Sequence, residues 1–508
     1  MKKKLALVLA VGMAVCSFAG CGTQDTTEEP VKEIEVAPVE ETEEVTEEVT
    51  TEDAGEAPQY EITGSDYDTD SQYFEGHFDM LTITDDNHPE LKAAVEAYYN
   101  DMYAEYQELS ESNIKEAEQV NSDTATDTTD DEVPYVLNYA NDYYTEVKRC
   151  DEGILSLIVT EYSFTGGAHG SSVQIGVNFD VKTGEQISCL GDLGDVVTEA
   201  YDFVMDQINS SESFQEELFP EWQDTVEMRF SGNAEDLSMW MDAGFVYVAF
   251  QQYDIAPYAA GIITFAIPYG CLTNINQDFL PADAFYYTEL SSDGRVYKLD
   301  INNDGALEDV CLKVEAVDED NMEYDITLTA AGQTFDPNDY AFTGTAYFVH
   351  RGADNYLFLV THGDSDCRNV YFLDPANGMN QIDTLAMGVE KIEQSEITLS
   401  EYVYAFGTWG GRKQYTYAEE GFTAVDDNYT FDNGPKSLYA VSITLKQELN
   451  GLAAGTAIYP TGLNNGNTLT YVTEDGTEGS FEFTEDGGVH YVDGVSEYDL
   501  FESLPYAG

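Results

Sequence analysis

Apolar residues alternate with polar ones, or run together over short stretches, at several places in the first half of the chain. These stretches are rich in β-branched and aromatic side chains and are bounded by Gly, Pro and Asp, which is typical of β-strands. They predict strands at residues 79–84, 138–149, 154–163, 173–181, 245–250 and 261–267.

Other segments repeat apolar residues every three or four positions, as one face of an amphipathic helix does. The first helix is predicted to begin at Pro89, because proline is tolerated in the first turn. Its predicted buried face consists of Leu91, Val95, Tyr98, Met102 and Tyr106. A second helix is predicted to bury Val197, Tyr201, Val204 and Ile208. The polar residues 121–131 are expected to form a surface loop.

The second half has a different pattern, with short apolar segments between Gly, Asn and Asp turns and hardly any helical period. Residues 346–350, 355–361 and 369–374 are predicted to be neighbouring strands of one sheet. Because strands and helices mix without a strand–helix–strand rhythm before this point, the first half is predicted to be α+β, a sheet packed with two main helices. The predicted order is an α+β domain at residues 60–275 and a mostly β domain at 285–508, with a small terminal β subdomain from about residue 440.

Composition limits the possible partners. A chain of 508 residues is expected to contain more than one domain, and 98 acidic against 20 basic residues give a formal net charge of −78. Such a surface repels nucleic acid and anionic lipid headgroups and attracts cations and basic proteins. Nucleic acid is therefore excluded as a partner. The simpler interpretation is that the charge only keeps an extracellular protein soluble.

The N-terminus has the pattern of an export signal. Three lysines precede an apolar stretch, residues 5–18, that is too short for a stable membrane span. The stretch ends in Phe18-Ala-Gly-Cys21, which resembles a bacterial lipobox, although Phe18 stands where leucine is usual. The resemblance implies a signal peptide at residues 1–20, a lipid on Cys21 and an extracytoplasmic location anchored to the cell membrane. Ordinary secretory cleavage nearby is the alternative.

Residues 21–59 are rich in Glu and Thr and contain almost no aromatic side chains. Such a segment cannot bury enough apolar surface to fold, and its like charges extend it. We expect a disordered acidic tether.

One turn in the second half has the spacing of a calcium loop. Acidic and amide side chains occupy loop positions one, three, five and nine, and Gly305 stands at position six, where a sharp turn is needed. Position twelve is Cys311 in place of the glutamate of an EF-hand. The loop instead resembles the calcium loops between strands of FG-GAP-type β-propeller blades. The predicted ligands are Asp300, Asn302, Asp304 and Glu308. A hairpin turn that binds no metal is the alternative.

Four motifs carry a family resemblance: residues 164–169 (Phe-Thr-Gly-Gly-Ala-His), 178–185, 253–261 and 267–269. In their residues and in their order along the chain, these motifs resemble the extracellular domain shared by the lysozyme-sensing anti-sigma-V factor (RsiV) and the non-catalytic N-terminal half of the peptidoglycan deacetylase PdaC. The resemblance covers about residues 60–275. An acidic tether stands where the anti-sigma factor has a transmembrane helix, and the Thr-Phe-Asp-Asp-Gly and His-xxx-His motifs of the deacetylase catalytic domain are absent from the sequence. Both departures argue against the known outputs of these relatives.

A few side chains remain as candidates for chemistry. His169, Tyr253 and Tyr258 belong to the family motifs and are the candidate ligand face, with a purely structural hydrogen bond as the alternative for His169. His350 and His362 flank a predicted hairpin and are a candidate metal pair, with polar side chains that merely lie at the sheet ends as the alternative. The cysteines after Cys21 form no CxxC motif and are predicted to be buried thiols, with a Cys189–Cys271 disulfide as the alternative. No nucleophile elbow or phosphate loop is present, so no catalytic residue is assigned.

The sequence therefore favours a non-catalytic, lipid-anchored binding or sensing module at the cell envelope. The expected ligand is a cationic wall-active protein such as lysozyme, or peptidoglycan. The alternative is an enzyme, or an accessory subunit of one, that acts on cell-wall polysaccharide. A third interpretation is a structural wall protein. A deep groove with perturbed carboxylates would favour the enzyme, and an aromatic-lined face would favour binding.

Overall fold

The structure is a computed structural model that describes residues 56–127, 136–282, 284–318, 323–363, 367–437 and 440–506. Its first sheet contains β1 to β5, which lie side by side in chain order. β2 and β3 run parallel, because a long helix between them makes the crossover that parallel neighbours require. The elements are β1 (Tyr60–Asp66), β2 (Phe74–Ile83), α1 (Pro89–Asp127), β3 (Tyr139–Cys150), β4 (Ile154–Phe164) and β5 (Ser171–Asp180).

Helix α1 packs on this sheet with the predicted face, apart from one residue. Tyr99 is fully buried, whereas Tyr98 is only partly buried at the edge of the same core. The prediction of Tyr98 was wrong by one position, because two adjacent tyrosines fit the apolar period about equally well. Tyr99 also satisfies its polar end, since its hydroxyl lies 3.0 Å from Oγ1 of Thr145.

The helix also continues further than predicted. The expected loop at residues 121–131 is wrong for residues 121–127, which are helical, and residues 128–131 lie outside the described part of the chain. Asn121 explains the extension, because its amide bonds both the carbonyl and the N–H of Leu137, at 2.8 and 2.9 Å. A buried polar side chain therefore ties this part of the helix to the segment before β3.

A second layer follows, in which helices cover a small antiparallel sheet in the order β6-β7-β8. This sheet approaches the first one closely: a Cβ on Gly176 of β5 would lie only 1.6 Å from the carbonyl oxygen of Met239, so only glycine fits. The elements are α2 (Val197–Asn209), α3 (Glu212–Glu217), α4 (Trp222–Arg229), β6 (Ser238–Met241), β7 (Phe245–Phe250) and β8 (Ile263–Pro268).

The chain from residue 286 onward is mostly strands. One sheet has the order β17-β16-β15-β14-β9, which confirms that the segments predicted at 346–350, 355–361 and 369–374 are neighbours, and a second has the order β10-β11-β12-β13. The elements are β9 (Tyr286–Leu290), β10 (Tyr297–Leu299), β11 (Glu308–Asp318), β12 (Glu323–Ala330), β13 (Gln333–Phe335), β14 (Thr343–Arg351), β15 (Asp354–His362), β16 (Arg368–Asp374) and β17 (Asn380–Leu385).

The last part of the chain builds a larger sheet in the order β18-β19-β20-β22-β24-β25-β26, with β21 on β20 and β23 on β24, and a small sheet of β27 to β29. Its elements are β18 (Gly388–Ile392), β19 (Glu396–Tyr404), β20 (Thr408–Ala418), β21 (Gly421–Ala424), β22 (Tyr429–Phe431), β23 (Ile443–Thr444), β24 (Ala457–Asn464), β25 (Thr468–Thr473), β26 (Glu478–Glu482), β27 (Thr484–Asp486), β28 (Val489–Val492), β29 (Val495–Ser496) and α5 (Glu497–Leu500).

The predicted fold class, an α+β region followed by a mostly β region, is confirmed. Within the described residues, no helix is both long and apolar enough to span a membrane. The five cysteines that the structure describes are free thiols. Only Cys189 is buried as expected, whereas Cys150, Cys271 and Cys311 are partly buried and Cys367 is exposed. The two predicted domain boundaries and the terminal subdomain remain predictions.

Candidate functional site

Two of the family motifs, far apart in the sequence, meet at one surface. His169 lies in the turn between β4 and β5, and Tyr258 lies in the loop between β7 and β8. Their rings stack with centroids 3.6 Å apart and an angle of 18° between the planes. The ring of Tyr253 lies 5.9 Å from that of Tyr258. The three candidate ligand-face residues therefore form one group, which we call the aromatic platform.

Side chains of the β7–β8 loop hold it against the first sheet. β5 is an edge strand, so its outward backbone groups need partners. Oε1 of Gln252 accepts from the N–H of Ser172 at 3.1 Å. The amide of Gln251 bonds the N–H and the carbonyl of Gln174, at 3.0 and 2.8 Å. Neither glutamine could be identified from the sequence, because nothing in a local pattern marks a side chain that mimics a strand neighbour.

Tyr253 occupies a strained backbone position. The N–H of Asp254 donates to the carbonyl of Gln251 at 2.9 Å, which closes a β-turn with Tyr253 at its third position. The φ of Tyr253 is 69°, a region that bulky side chains rarely adopt. Asp254 fixes the turn, since its carboxylate accepts from Arg229 at 2.7 Å. Such strain costs about 1–3 kcal/mol and is concentrated at functional sites.

The platform is open to solvent. Tyr253 is 56% exposed, and His169 is exposed as well. His169 donates from Nδ1 to the carbonyl oxygen of Gly170 at 3.0 Å, and its Nε2 bonds to none of the described residues. This is the structural hydrogen bond that was the alternative to a ligand role for His169, and the exposure of the ring makes both roles compatible. The hydroxyl groups of Tyr253 and Tyr258 have no hydrogen-bond partner among the described residues.

These features suit recognition better than reaction. Flat rings with polar edges stack on a partner and exchange hydrogen bonds with it at little cost in side-chain entropy. In the described part of the chain, His169 has no acidic or nucleophilic side chain within hydrogen-bond distance, so the platform lacks the pairing that general-base catalysis needs.

The predicted calcium ligands lie in the turn between β10 and β11. The carboxylate of Asp300 accepts from the N–H groups of Asp304 and Gly305, at 3.1 and 2.9 Å. Oδ1 of Asn302 also accepts from the N–H of Asp304, at 3.0 Å, and Oε2 of Glu308 accepts from Ile301 at 3.1 Å. The loop therefore wraps around its own carboxylates. Their oxygen donors fit a hard cation such as calcium.

The turn is held in place by the β14–β15 hairpin. Nδ2 of Asn355 donates to the carbonyl of Asp300 at 2.7 Å, and Nδ2 of Asn303 donates to the carbonyls of Gly352 and Ala353 at 3.1 and 2.8 Å. Among the residues that the structure covers, no group of three or more His, Cys, Asp or Glu side chains is gathered as a metal-binding cluster. A calcium site here remains a prediction.

The candidate metal pair of His350 and His362 is wrong. The β14–β15 register pairs His350 with Asn355 at one end of the hairpin and His362 with Thr343 at the other. His350 is buried, bonds Oδ1 of Asn355 at 2.8 Å and stacks on Tyr286. It is a core residue.

A cavity of about 1170 Å³ lies beside the second layer. Its lining includes the stacked rings of Trp240 and Tyr247 and the carboxyl groups of Asp242 and Glu289. Burial raises the pKa of Asp242 to about 6 and also raises the pKa of Glu289. Perturbed acids in a cavity are a feature of active sites, so this cavity bears on the enzyme alternative.

The contacts of Asp242 indicate a structural role for it. Oδ1 accepts from the N–H groups of Gly244 and Phe245, at 2.7 and 2.8 Å, and thereby closes the β6–β7 turn. Oδ2 accepts from the hydroxyl of Tyr247 at 2.7 Å. Both carboxylate oxygens of Asp242 thus already accept hydrogen bonds within the fold.

The lipidation candidate Cys21 lies outside the described residues.

Two family models match the chain in the region of the resemblance. The model described as "Deacetylase PdaC" matches residues 67–172, and the model described as "Protein of unknown function (DUF3298)" matches residues 199–270. Both lie inside residues 60–275, so the predicted resemblance is confirmed. His169 falls in the first match and both platform tyrosines fall in the second.

Among solved structures, a DUF3298 family member from Bacteroides fragilis is 16% identical to this chain, with a TM-score of 0.34. The match covers 44% of this chain and 95% of the Bacteroides fragilis chain. A DUF3298 family protein from Pseudomonas aeruginosa is 17% identical, with a TM-score of 0.31, and the match covers 44% of this chain and 97% of the Pseudomonas aeruginosa chain. No curated protein matches. Over residues 67–172 and 199–270, the chain is therefore similar to the PdaC and DUF3298 families.

Proposed function

We propose that this protein is a non-catalytic binding or sensing module of the cell envelope, and that the aromatic platform is its ligand face. The single observation that carries the proposal is the stack of His169 on Tyr258. It joins the two segments that match the two family models, and it exposes aromatic rings without a catalytic partner in reach.

The ligand is proposed to be a cationic wall-active protein such as lysozyme. The net charge of −78 would steer a basic protein toward the surface and raise its association rate. The platform would then supply the contact that distinguishes one basic protein from another, since aromatic side chains dominate binding hot spots. Peptidoglycan itself is the other ligand to test.

The proposed location is outside the cytoplasm, at the membrane, through a lipid on Cys21. This rests on the sequence of residues 1–21 alone. In a bacterial host, the wild-type protein is expected in the membrane fraction with an incorporated fatty acid label, and Cys21→Ser is expected to lose both. An unlabelled wild-type protein in the culture supernatant would contradict the anchor.

The proposal is tested by capture of purified hen lysozyme and of insoluble peptidoglycan on the immobilised protein without residues 1–21. We expect one of the two to be retained, and retention to fall at least about tenfold in Tyr258→Ala, which corresponds to about 1.4 kcal/mol. Tyr340→Ala is the matched control, because Tyr340 is another exposed tyrosine, at 62%, in the C-terminal region. If neither ligand is retained, or if both variants behave alike, the platform is not the ligand face.

The second candidate function is an enzyme of wall polysaccharide, favoured by the cavity that contains Asp242 and Glu289. A glycosidase needs one carboxyl group as acid and another as base or nucleophile. Both carboxylate oxygens of Asp242 already accept hydrogen bonds, one from the β6–β7 turn and the other from Tyr247, which makes Asp242 a poor catalytic acid or base. Release of soluble fragments from peptidoglycan, abolished by Glu289→Gln, would favour the enzyme over the binding module.

A further inference from the structure

A groove in the C-terminal region, separate from the cavity described above, has features of a binding site. Its volume is about 970 Å³, and strands β19 and β20 form part of its wall. The β19–β20 register pairs Ser400 with Arg412, Tyr402 with Gly410 and Tyr404 with Thr408. Directly paired residues of antiparallel strands share one face of the sheet. These six side-chain positions therefore line one continuous strip of the groove.

The strip presents aromatic rings to solvent. Tyr402 is 45% exposed and Tyr404 is 61% exposed, although both lie within regular strand. They are two residues apart on one strand, so their attachment points are separated by about 7 Å. Large exposed aromatic residues in a row on a concave surface are unusual for a soluble protein unless something binds them.

Gly410 keeps the floor of the groove open. Its φ is not in the positive region, and a Cβ built on it would meet no atom within 4 Å. Neither backbone conformation nor packing therefore requires glycine at this position, and glycine weakens a strand. What its missing side chain does provide is free space next to Tyr402, in the middle of the strip.

Two arginines and two carboxylates lie close together at one end of the groove. Arg368 and Arg412 both face Glu390, each at 3.8 Å, and Arg412 also faces Asp432 at 3.7 Å. These ion pairs are longer than hydrogen bonds, so planar donors and acceptors remain available to a ligand. Oγ of Ser400 donates to Oε1 of Glu390 at 2.5 Å and thereby fixes that carboxylate.

We propose that this groove binds an uncharged oligosaccharide. Sugar rings offer flat C–H faces that stack on aromatic rings, and hydroxyl groups that both donate and accept hydrogen bonds. The two tyrosines match the first property, and the paired guanidinium and carboxylate groups match the second. An anion would have to displace Glu390 and Asp432 from the arginines, in a protein that already carries −78. The volume suits several linked sugar rings. The site is separate from the aromatic platform and does not depend on the function proposed for it.

The test is calorimetric titration of the protein lacking residues 1–21 with tetramers of N-acetylglucosamine, of glucose in β-1,4 linkage, and of glutamate as an acidic peptide. We expect a neutral tetrasaccharide to bind with little dependence on salt, because screening acts on charged partners. Gly410→Gln should weaken binding at least about tenfold by filling the floor, and Tyr404→Ala should do so by removing a stacking surface.

Two controls keep the result interpretable. Gly270→Gln places the same side chain on another exposed glycine with room for it, outside the groove, and should leave sugar binding unchanged. Tyr340→Ala removes an exposed tyrosine that belongs neither to the groove nor to the aromatic platform, and it should also leave sugar binding unchanged. The inference is overturned if neither sugar binds, if only the acidic peptide binds, or if Gly410→Gln and Tyr404→Ala bind sugar as the wild type does.

Discussion

The imidazole ring of His169 lies over the phenol ring of Tyr258, with centroids 3.6 Å apart and planes 18° apart. One ring is carried by the first sheet and the other by the second layer, so the stack joins two parts of the fold at their surface. Neither ring belongs to a hydrophobic core cluster. Either ring can therefore be replaced with little effect on the cores.

Because the rings touch, we predict that their contributions to stability are coupled. The free energy of unfolding should show a coupling of about 0.5–1.5 kcal/mol in a double-mutant cycle of His169→Ala and Tyr258→Ala, the usual range for stacked rings. Urea denaturation of the four proteins measures it. A cycle that pairs His169→Ala with Tyr340→Ala should give no coupling. Additive effects in the first cycle would mean that the rings do not stack in solution.

Relief of the strain at Tyr253 should separate stability from binding. Tyr253→Gly and Tyr253→Ala both remove the ring, but only glycine adopts a φ of 69° without strain. We expect the glycine variant to be more stable than the alanine variant by about 1 kcal/mol, and both to lose affinity for the ligand equally. Thermal unfolding and the capture assay measure the two effects. Equal stability of the two variants would contradict a strained turn.

Asp242 should make the protein less stable as the pH rises from about 4 to 6. Its pKa is about 6 in the folded chain, against an ordinary value of 3.8, so between these values the folded state binds more protons than the unfolded state. The free energy of unfolding contributed by this group then falls with rising pH, by a total of about 3 kcal/mol. Asp242→Asn removes the titrating group and should flatten the slope in that interval.

Asp85 provides a control of opposite sign for the pH prediction. Hydrogen bonds from the N–H of Gln59 and from neighbouring groups lower its pKa to about 2. Its contribution to stability is therefore complete above pH 4 and is lost as the pH falls toward 2. Asp85→Asn should be less stable than wild type at pH 7, and the difference should shrink in acid.

For the Asp242 prediction, parallel pH profiles of wild type and Asp242→Asn would contradict the assigned burial of Asp242.

The periodic parts of the fold could be predicted from the sequence, because a strand that buries one face shows its period directly. β3, β4 and β7 begin and end within one or two residues of the prediction. The extension of α1 could not be predicted in this way. Asn121 looks like a loop residue until Leu137 supplies its distant partners, and a local pattern does not contain that information.

The candidate site, like the fold, could be predicted from the sequence only in part. The motifs identified His169, Tyr253 and Tyr258 individually, but their contact depends on how β5 lies against the β7–β8 loop. The groove around Gly410 left no sequence signal, since a glycine in a strand usually indicates a bulge or close packing, and here it indicates neither. Pairing register, which places Tyr402 beside that glycine, is a property of the folded sheet.

Calcium should stabilise the protein if Asp300, Asn302, Asp304 and Glu308 bind it. A ligand at about one hundred times its Kd adds about 2.7 kcal/mol to the free energy of unfolding, and magnesium should add less, because it demands a near-ideal octahedral geometry and loses its water reluctantly. Asp304→Asn should reduce the calcium effect and leave the calcium-free protein unchanged. Asp336→Asn is the control, since Asp336 bonds the N–H of Asn338 in a different turn. A melting temperature that does not respond to millimolar calcium would contradict the site.

The most direct test of the central claim is a titration of hen lysozyme into the protein lacking residues 1–21, at salt concentrations from about 0.05 to 0.5 M, where screening becomes strong. The double variant His169→Ala/Tyr258→Ala is measured beside the wild type. We predict wild-type binding that survives moderate salt and is lost in the double variant. Binding that disappears with salt equally in both proteins would mean that the net charge alone attracts lysozyme and that the aromatic platform is not its receptor.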